Sequence, residues 1–193
     1  MRRLSRIGFS GGRRGILIAA APSLLSSAAV LARLDSRLLY AMRTRGHSRA
    51  VEAIAKGLGR IGEYGWIWLA IGIVLAIADS DRGEDWLVAG ILGPVAIGLN
   101  FVVKVLVKRP RPVLEGLPPL GGAPSSLSFP SAHATSSFAC ATAMTRIAPE
   151  AAVLFLLAAA LAAGRPYLGM HYPSDVLAGV VLGTALGLVV PLS

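Results

Sequence analysis

The sequence predicts an all-α chain: an integral membrane bundle of six transmembrane helices, with one active site at a membrane face. Three observations lead there. Of the 193 residues, 54% are hydrophobic and 15% charged, with a mean hydropathy of +0.66, which is too little charge to cover a soluble domain of this length. The apolar residues come in blocks on the scale of a bilayer crossing rather than in amphipathic stripes. Finally, three polar stretches, at 104–112, 129–133 and 164–175, fall at the ends of those blocks.

The first block, Gly15–Ala32, follows Arg2, Arg3, Arg6, Arg13 and Arg14. Val30–Ala32 resembles a signal cleavage site, but helix-like sequence continues past it, so the block reads as a first span rather than a removed leader. Residues 33–60 are basic, with Leu34, Leu38, Met42, Val51, Ile54 and Leu58 at helical spacings, and read as an amphipathic connection at the membrane surface. His47 in this segment reads as a solvated loop histidine. Ile61–Ala78 is a second span, with Trp66 and Trp68 as interfacial aromatics. Trp86–Val107 is a third, and its Pro94, Asn100 and Lys104 must face the bundle interior or its mouth. A Pro/Gly-rich loop covers 108–129. The fourth span, Pro130–Ile147, is rich in Ala, Ser and Thr, the composition of a helix packed on other helices. Ala151–Ala163, running on toward Leu168, and Ser174–Val190 complete the six. Neither an internal repeat nor a second domain is evident, so residues 1–193 read as a single domain.

Six spans place the end of the third, the start of the fourth, the end of the fifth and the start of the sixth on one membrane face, where all three polar stretches fall. Lys and Arg divide seven to twelve between the two faces, with twelve on the motif side. Discounting Lys104, Arg111 and Arg165 makes that nine, which leaves the orientation open.

The formal charge is +9. The basic residues lie in short loops between apolar blocks, which argues against nucleic acid and for anionic lipid headgroups or a phosphorylated substrate. Cys140 is the only cysteine, so neither an internal disulfide nor a cysteine metal cluster can form.

Pro130 and Ser131 sit where a first helical turn begins, a position that suits proline and a capping serine and that binds anions. Lys104 and Arg111 are seven residues apart, two helical turns, so both reach one side, and Pro112 ends the helix. With Arg165 they imply a polyanion, most simply phosphate. His171 and Asp175 span a loop-to-helix junction across Pro173. A carboxylate on one ring nitrogen makes the other a better nucleophile or base. His133, opposite, is then placed to protonate a leaving alkoxide. Asp175 is the only acid in the three stretches, fewer carboxylates than a dinuclear metal site needs, so the expected chemistry uses neither metal nor cofactor.

These stretches resemble the type 2 phosphatidic acid phosphatase superfamily, whose signature is K-x6-R-P, then P-S-G-H, then S-R-x5-H-x3-D. Lys104, Arg111 and Pro112 match the first with the right gap, Pro130–His133 reads P-S-A-H, and Arg165, His171 and Asp175 keep both gaps of the third. Ala132 stands where the family has glycine, and Gly164 where it has serine. The resemblance implies a phosphohistidine on His171, oriented by Asp175, with His133 as proton donor and later as activator of water. It also implies that Lys104, Arg111, Arg165, Ser131 and the Ala132 N–H hold the phosphoryl oxygens. Lys108 and Arg109 lie outside the signature and read as headgroup contacts or flank charges, and Tyr167 and Tyr172 as interfacial aromatics.

The expected activity is hydrolysis of a lipid phosphate or diphosphate in a bacterial cytoplasmic membrane. Undecaprenyl diphosphate is the leading substrate. Decaprenylphosphoryl-phosphoribose, which the GC-rich source hinted at by arginine-rich usage would also allow, phosphatidylglycerol phosphate and phosphatidic acid are alternatives. The loop Val113–Phe129 is a candidate gate. Two readings from other classes are a vanadate haloperoxidase and a membrane protein that only binds anionic lipid.

Overall fold

A computed structural model describes residues 22–122 and 126–193. They form seven α-helices: α1 (Pro22–Thr44), α2 (Arg49–Ile61), α3 (Trp66–Ala78), α4 (Gly83–Val107), α5 (Ala132–Ile147), α6 (Leu154–Tyr167) and α7 (Pro173–Val189). Short 3₁₀ turns at Glu63–Gly65, Ser80–Arg82 and Pro149–Val153 join some of them. The only extended pairing among the described residues is an isolated bridge between Pro110 and Leu127, which closes the long loop at its base.

Helix α5 is the hub, packed against α4, α6 and α7. Its Ala, Ser and Thr residues are buried from Ala134 to Met144, except half-buried Phe138, as expected for a helix that meets protein on every side. Close approach by α7 depends on Gly179, Gly183 and Gly187, spaced four apart on one face. A Cβ on Gly179 would sit 2.7 Å from the Ser131 carbonyl oxygen, and one on Gly187 2.5 Å from that of Ala139. This is small-residue packing of the kind that joins helices inside a membrane.

The helices match the expected blocks closely from α4 onward. Among the described residues, length and composition single out two segments, Ser80–Val107 and Pro149–Tyr167, as able to cross a bilayer, or three if α2 and α3, bent by 50° at their junction, are taken as one broken span. Helix α7, at 17 residues, is apolar but shorter. The expected second span is cut short: α3 starts at Trp66, because Tyr64 and Gly65 adopt left-handed backbone (φ 57° and 75°). Residues 15–21 of the expected first span lie outside the described residues. The remainder, 22–32, belongs to α1, which runs unbroken through Val30–Ala32 to Thr44.

The amphipathic segment 33–60 is two helices, and much of their apolar stripes faces outward, although Leu58 packs on the core. Asp35, Leu39 and Arg43 form the buried face of α1, whereas Leu34 and Leu38 are exposed. On α2 it is small Ala55 that is buried, with Val51 and Ile54 outside. This arrangement is expected where the surroundings are as apolar as leucine and only polar or small groups gain by turning inward. Trp68 is not interfacial. It is fully buried, and its indole N–H donates to Ser137 Oγ on α5 at 3.1 Å; Trp66 is the exposed one. His47 is packed, its ring stacked on Tyr167 at 4.3 Å with Nε2 3.5 Å from Glu52.

Candidate active site

One cavity of about 890 Å³ opens among α2, α4, α5, the long loop and the α6–α7 turn. Lys104, Arg111, Ala132, His133, Arg165 and His171 all line it, so the three polar stretches converge as the shared-face argument required.

Lys104, on the last turn of α4, is buried, and its ammonium donates to the carbonyls of Pro130 (2.7 Å) and Ser128 (3.1 Å). It therefore organises the 127–130 loop as well as adding positive charge to the cavity. Asn100, one turn earlier, donates to Thr135 Oγ1 at 2.9 Å and satisfies part of its own buried polarity there. These contacts hold the start of α5 against α4.

Ser131 is the residue that caps α5, but its hydroxyl makes no capping bond. Its Oγ is buried with no hydrogen-bond partner among the described residues, while its N–H donates to the Asp175 carbonyl at 2.9 Å. Ala132 follows at the first helical position, on the cavity wall. The first amides of a helix have no intrahelical acceptor, and they carry the positive end of the helix dipole.

Arg111 donates through Nη1 to the Met170 carbonyl at 2.6 Å, and the same nitrogen lies 3.2 Å from His171 Nε2. Arg165, in the last turn of α6, is buried, and its Nε has no hydrogen-bond partner among the described residues. Lys104, Arg111 and Arg165 thus surround a space with more positive charge than protein carboxylate faces, a standing invitation to an anion.

His171 sits in the turn between α6 and α7. Its Nδ1 is 3.7 Å from Asp175 Oδ2, and that oxygen also accepts the Tyr172 N–H at 2.8 Å. Asp175 is the third residue of α7, and its side chain folds back over the helix start as a capping carboxylate does. The N-cap of α7 is Tyr172. Burial is the main force holding the His171 imidazole neutral, its pKa pushed down to about 3, with the nearby Asp175 carboxylate opposing and the fields of Arg111, Arg165 and Lys104 adding to it. His133, half-buried in the opposite wall, points Nε2 at the Gly59 carbonyl of α2, 2.9 Å away.

The PAP2 superfamily model matches residues 86–193, more than half the chain. The chain belongs to the PAP2 superfamily. It is 43% identical over 138 residues to decaprenylphosphoryl-5-phosphoribose phosphatase of Mycobacterium tuberculosis, covering 72% of this chain and 77% of that protein. It is 31% identical over 134 residues to the undecaprenyl-diphosphatase BcrC of Bacillus subtilis, covering 66% and 68%. Its fold is that of a transmembrane PAP2-type phosphatidylglycerolphosphate phosphatase from Bacillus subtilis, with a TM-score of 0.64 at 24% identity over 86% of this chain and 89% of that one.

Family membership sharpens the meaning of the two departures from its signature. Ala132 keeps its backbone N–H on the cavity wall, so the methyl group changes the wall's shape and not its donors. At Gly164 an added Cβ would rest in ordinary contact with Ala55 of α2, at 3.7 Å, and Gly164 is not among the cavity-lining residues.

Sequence reasoning missed two contributors. Helix α2 lies outside the matched region, yet it supplies Lys56, Gly59, Arg60, Glu63 and Tyr64 with its following turn to the cavity wall. Arg109 is not a flank charge. Its Nη1 donates to Asp175 Oδ1 at 2.8 Å and to Ser174 Oγ at 2.7 Å, and its Nη2 to Asp35 Oδ2 at 2.6 Å. The available signal was the lone acid Asp35 in an otherwise basic and apolar α1, since a buried acid needs a cation. Lys108, by contrast, is exposed at the end of α4.

Proposed function

We propose that this protein is an integral membrane lipid phosphatase of the bacterial cytoplasmic membrane that works through a phosphohistidine on His171. The observation that carries the reading is the line Asp175–His171–Arg111 at the edge of a cationic cavity. A lipid phosphate enters with its phosphoryl group among Lys104, Arg111, Arg165, Ser131 Oγ and the Ala132 N–H. His171 Nε2 attacks phosphorus, the bond to the lipid-side oxygen breaks, and His133 gives that oxygen a proton. A water, activated by His133, then attacks the phosphohistidine, so phosphate leaves and His171 is restored. The cations and amides act on the charge that builds on the equatorial oxygens. The whole chain serves as one domain, and α1, α3, α4, α5, α6 and α7 make the six spans, with α2 lying over the site.

Among lipid phosphates, we favour one in which a sugar phosphate is carried on a polyprenyl chain, as in decaprenylphosphoryl-5-phosphoribose. This revises the preference for undecaprenyl diphosphate drawn from sequence. The relative named for the former substrate is 43% identical and that named for the latter 31%. The cavity offers matching surfaces: Ile97 and Phe101 give an apolar wall, and Arg60, Lys56 and Glu63 give polar groups beyond the inner cations. A sugar bearing a second, esterified phosphate suits that outer rim.

The test is phosphate release in detergent with EDTA present, from decaprenylphosphoryl-5-phosphoribose, undecaprenyl diphosphate, phosphatidylglycerol phosphate and phosphatidic acid, comparing wild type with His171→Ala. Release that survives EDTA and disappears in the variant supports the mechanism, and the best substrate decides the preference. Equal background in both proteins on every lipid would favour a protein that only binds anionic lipid.

A further inference from the structure

Asp175 has two carboxylate oxygens, and the reaction proposed above needs one of them, Oδ2, beside His171 Nδ1. Nothing in a carboxylate itself distinguishes the two. Oδ1 is engaged by Arg109 Nη1 at 2.8 Å, which leaves Oδ2 to the Tyr172 N–H and the imidazole. Arg109 is in turn fixed from three sides. It donates to Ser174 Oγ and to Asp35 Oδ2, and its guanidinium lies over the Tyr172 ring at 4.2 Å. Asp35 is buried on α1. Its Oδ1 accepts the Ser174 N–H at 2.9 Å, and its Oδ2 receives a close hydrogen bond from the Ser174 hydroxyl. It therefore ties α1 to the first turn of α7.

We propose that Asp35 and Arg109 are positioning residues for the reaction: Arg109 fixes the carboxylate of Asp175 so that Oδ2 faces His171, and Asp35 holds Arg109 there while sharing its charge. The sharing matters as much as the geometry. A guanidinium bound to Asp175 alone would draw off the negative charge that supports the Nδ1 proton of His171 as the ring becomes cationic during attack. Placed between two buried carboxylates, Arg109 orients Asp175 without neutralising it outright. Neither Asp35 nor Arg109 lines the cavity, so neither meets the substrate. Asp35 also precedes the region matched by the family model, residues 86–193, so part of the support for the site comes from the N-terminal helix.

The inference rests on His171 being the nucleophile, and the experiment separates the two. Phosphate release from the best lipid substrate is measured in detergent for wild type, His171→Ala, Asp35→Asn, Arg109→Met and Arg109→Lys, with kcat and KM resolved. Asp35→Asn keeps the shape and is expected to lower kcat by about 10- to 100-fold, the scale usual for residues that orient a reacting group from behind, with KM changed less than twofold. Arg109→Met is expected to lose more, and Arg109→Lys to recover part of that loss, because an ammonium can hold Oδ1 but cannot bridge both carboxylates. Residual turnover in His171→Ala equal to wild type would remove the underlying reading and this inference with it. An inactive His171→Ala beside an unaltered kcat in Asp35→Asn would overturn the inference alone, as would losses divided equally between kcat and KM. If Arg109→Met does not fold, the isosteric Asp35→Asn decides.

Discussion

His171 Nε2 faces Arg111 Nη1 at 3.2 Å. A guanidinium has only donors to offer, so the ring nitrogen is the acceptor and the imidazole proton resides on Nδ1, toward Asp175. This is the tautomer that a nucleophilic Nε2 requires, and Arg111 Nη1 lies on the lone-pair side of that nitrogen. When a phosphoryl group arrives, the arginine can exchange the ring nitrogen for phosphate oxygens, bringing the electrophile onto the lone pair it has just released.

Replacing Arg111 by lysine is the sharpest test of that exchange. Lysine keeps a charge but loses the fork that reaches the Met170 carbonyl and a phosphate together. Loss of one such transition-state donor costs about 10²–10³ in kcat, and Arg111→Lys is expected to fall in that range with the lipid substrate. A rate within threefold of wild type would mean that charge alone suffices at this position.

Acidification gives a second outcome. His171 is neutral in the fold, its pKa pushed down to about 3, mainly by burial, whereas in the unfolded chain it titrates near 6.5. Above pH 6.5 both states are neutral and the group adds no pH dependence. Below that value the unfolded chain takes up a proton that the folded one refuses, so stability falls as pH drops from about 6.5 toward 3. Thermal unfolding in detergent between pH 7 and 4 should show a steeper decline for wild type than for His171→Asn. Parallel curves would show that the imidazole is readily protonated in place.

Much of this was readable beforehand, and the boundary is physical. The signature residues Lys104, His133, Arg165, His171 and Asp175 lie near helix ends marked by proline or by a change in hydropathy, and one cavity gathers His133, Arg165, His171 and Lys104. Arg111 reaches the same cavity from the loop, because α4 ends at Val107, where Lys108 turns left-handed, and not at Pro112 as the two-turn spacing suggested. The inward faces of α1 and α2 could not be read the same way. Periodicity finds the apolar stripe, and in a chain surrounded by lipid that stripe points outward, so it does not mark the inward groups Asp35, Arg43 and Gly59. Trp68 escaped for a related reason. Its single polar atom finds Ser137, a partner in another helix that no local pattern reveals.

Helix α2 yields a paired prediction. A Cβ on Gly59 would lie 3.1 Å from Arg165 Nη1, and Gly59 also presents its carbonyl to His133. Gly59→Ala should displace the guanidinium by a few tenths of an ångström and raise KM for the lipid phosphate by about tenfold, the equivalent of roughly 1.4 kcal/mol. Gly164→Ser, which restores the family residue, meets only Ala55 at an ordinary distance. It should leave KM within about twofold and stabilise α6 by about 0.5 kcal/mol through helix propensity. Steady-state kinetics and melting temperatures of the two variants check both halves, and an effect of Gly164→Ser on KM as large as that of Gly59→Ala would refute the assignment of position 164 to the helix contact.

The long loop supplies the last prediction. Leu120, Gly121 and Gly122 line the cavity, and two tethers hold this arm of the loop: the Leu120 N–H donates to the Leu168 carbonyl at 2.9 Å, and Arg43 Nη2 to the Pro118 carbonyl at 2.8 Å. The anchor points lie on α1 and just past the end of α6, and neither is one of the groups proposed to hold the phosphoryl oxygens. Loosening the arm should therefore alter how the lipid is admitted and leave the chemistry alone. Arg43→Ala is expected to raise KM for a long-chain lipid phosphate several-fold while kcat and the turnover of a short, water-soluble phosphomonoester stay near wild type. Removing Gly116–Gly122 takes away the lining itself and should reorder the preference among polyprenyl and glycerolipid phosphates. Kinetics of both variants on the long and short substrates make the comparison. A uniform loss on every substrate would indicate that the loop holds the site together, and unchanged kinetics on every substrate would leave it no part in lipid selection.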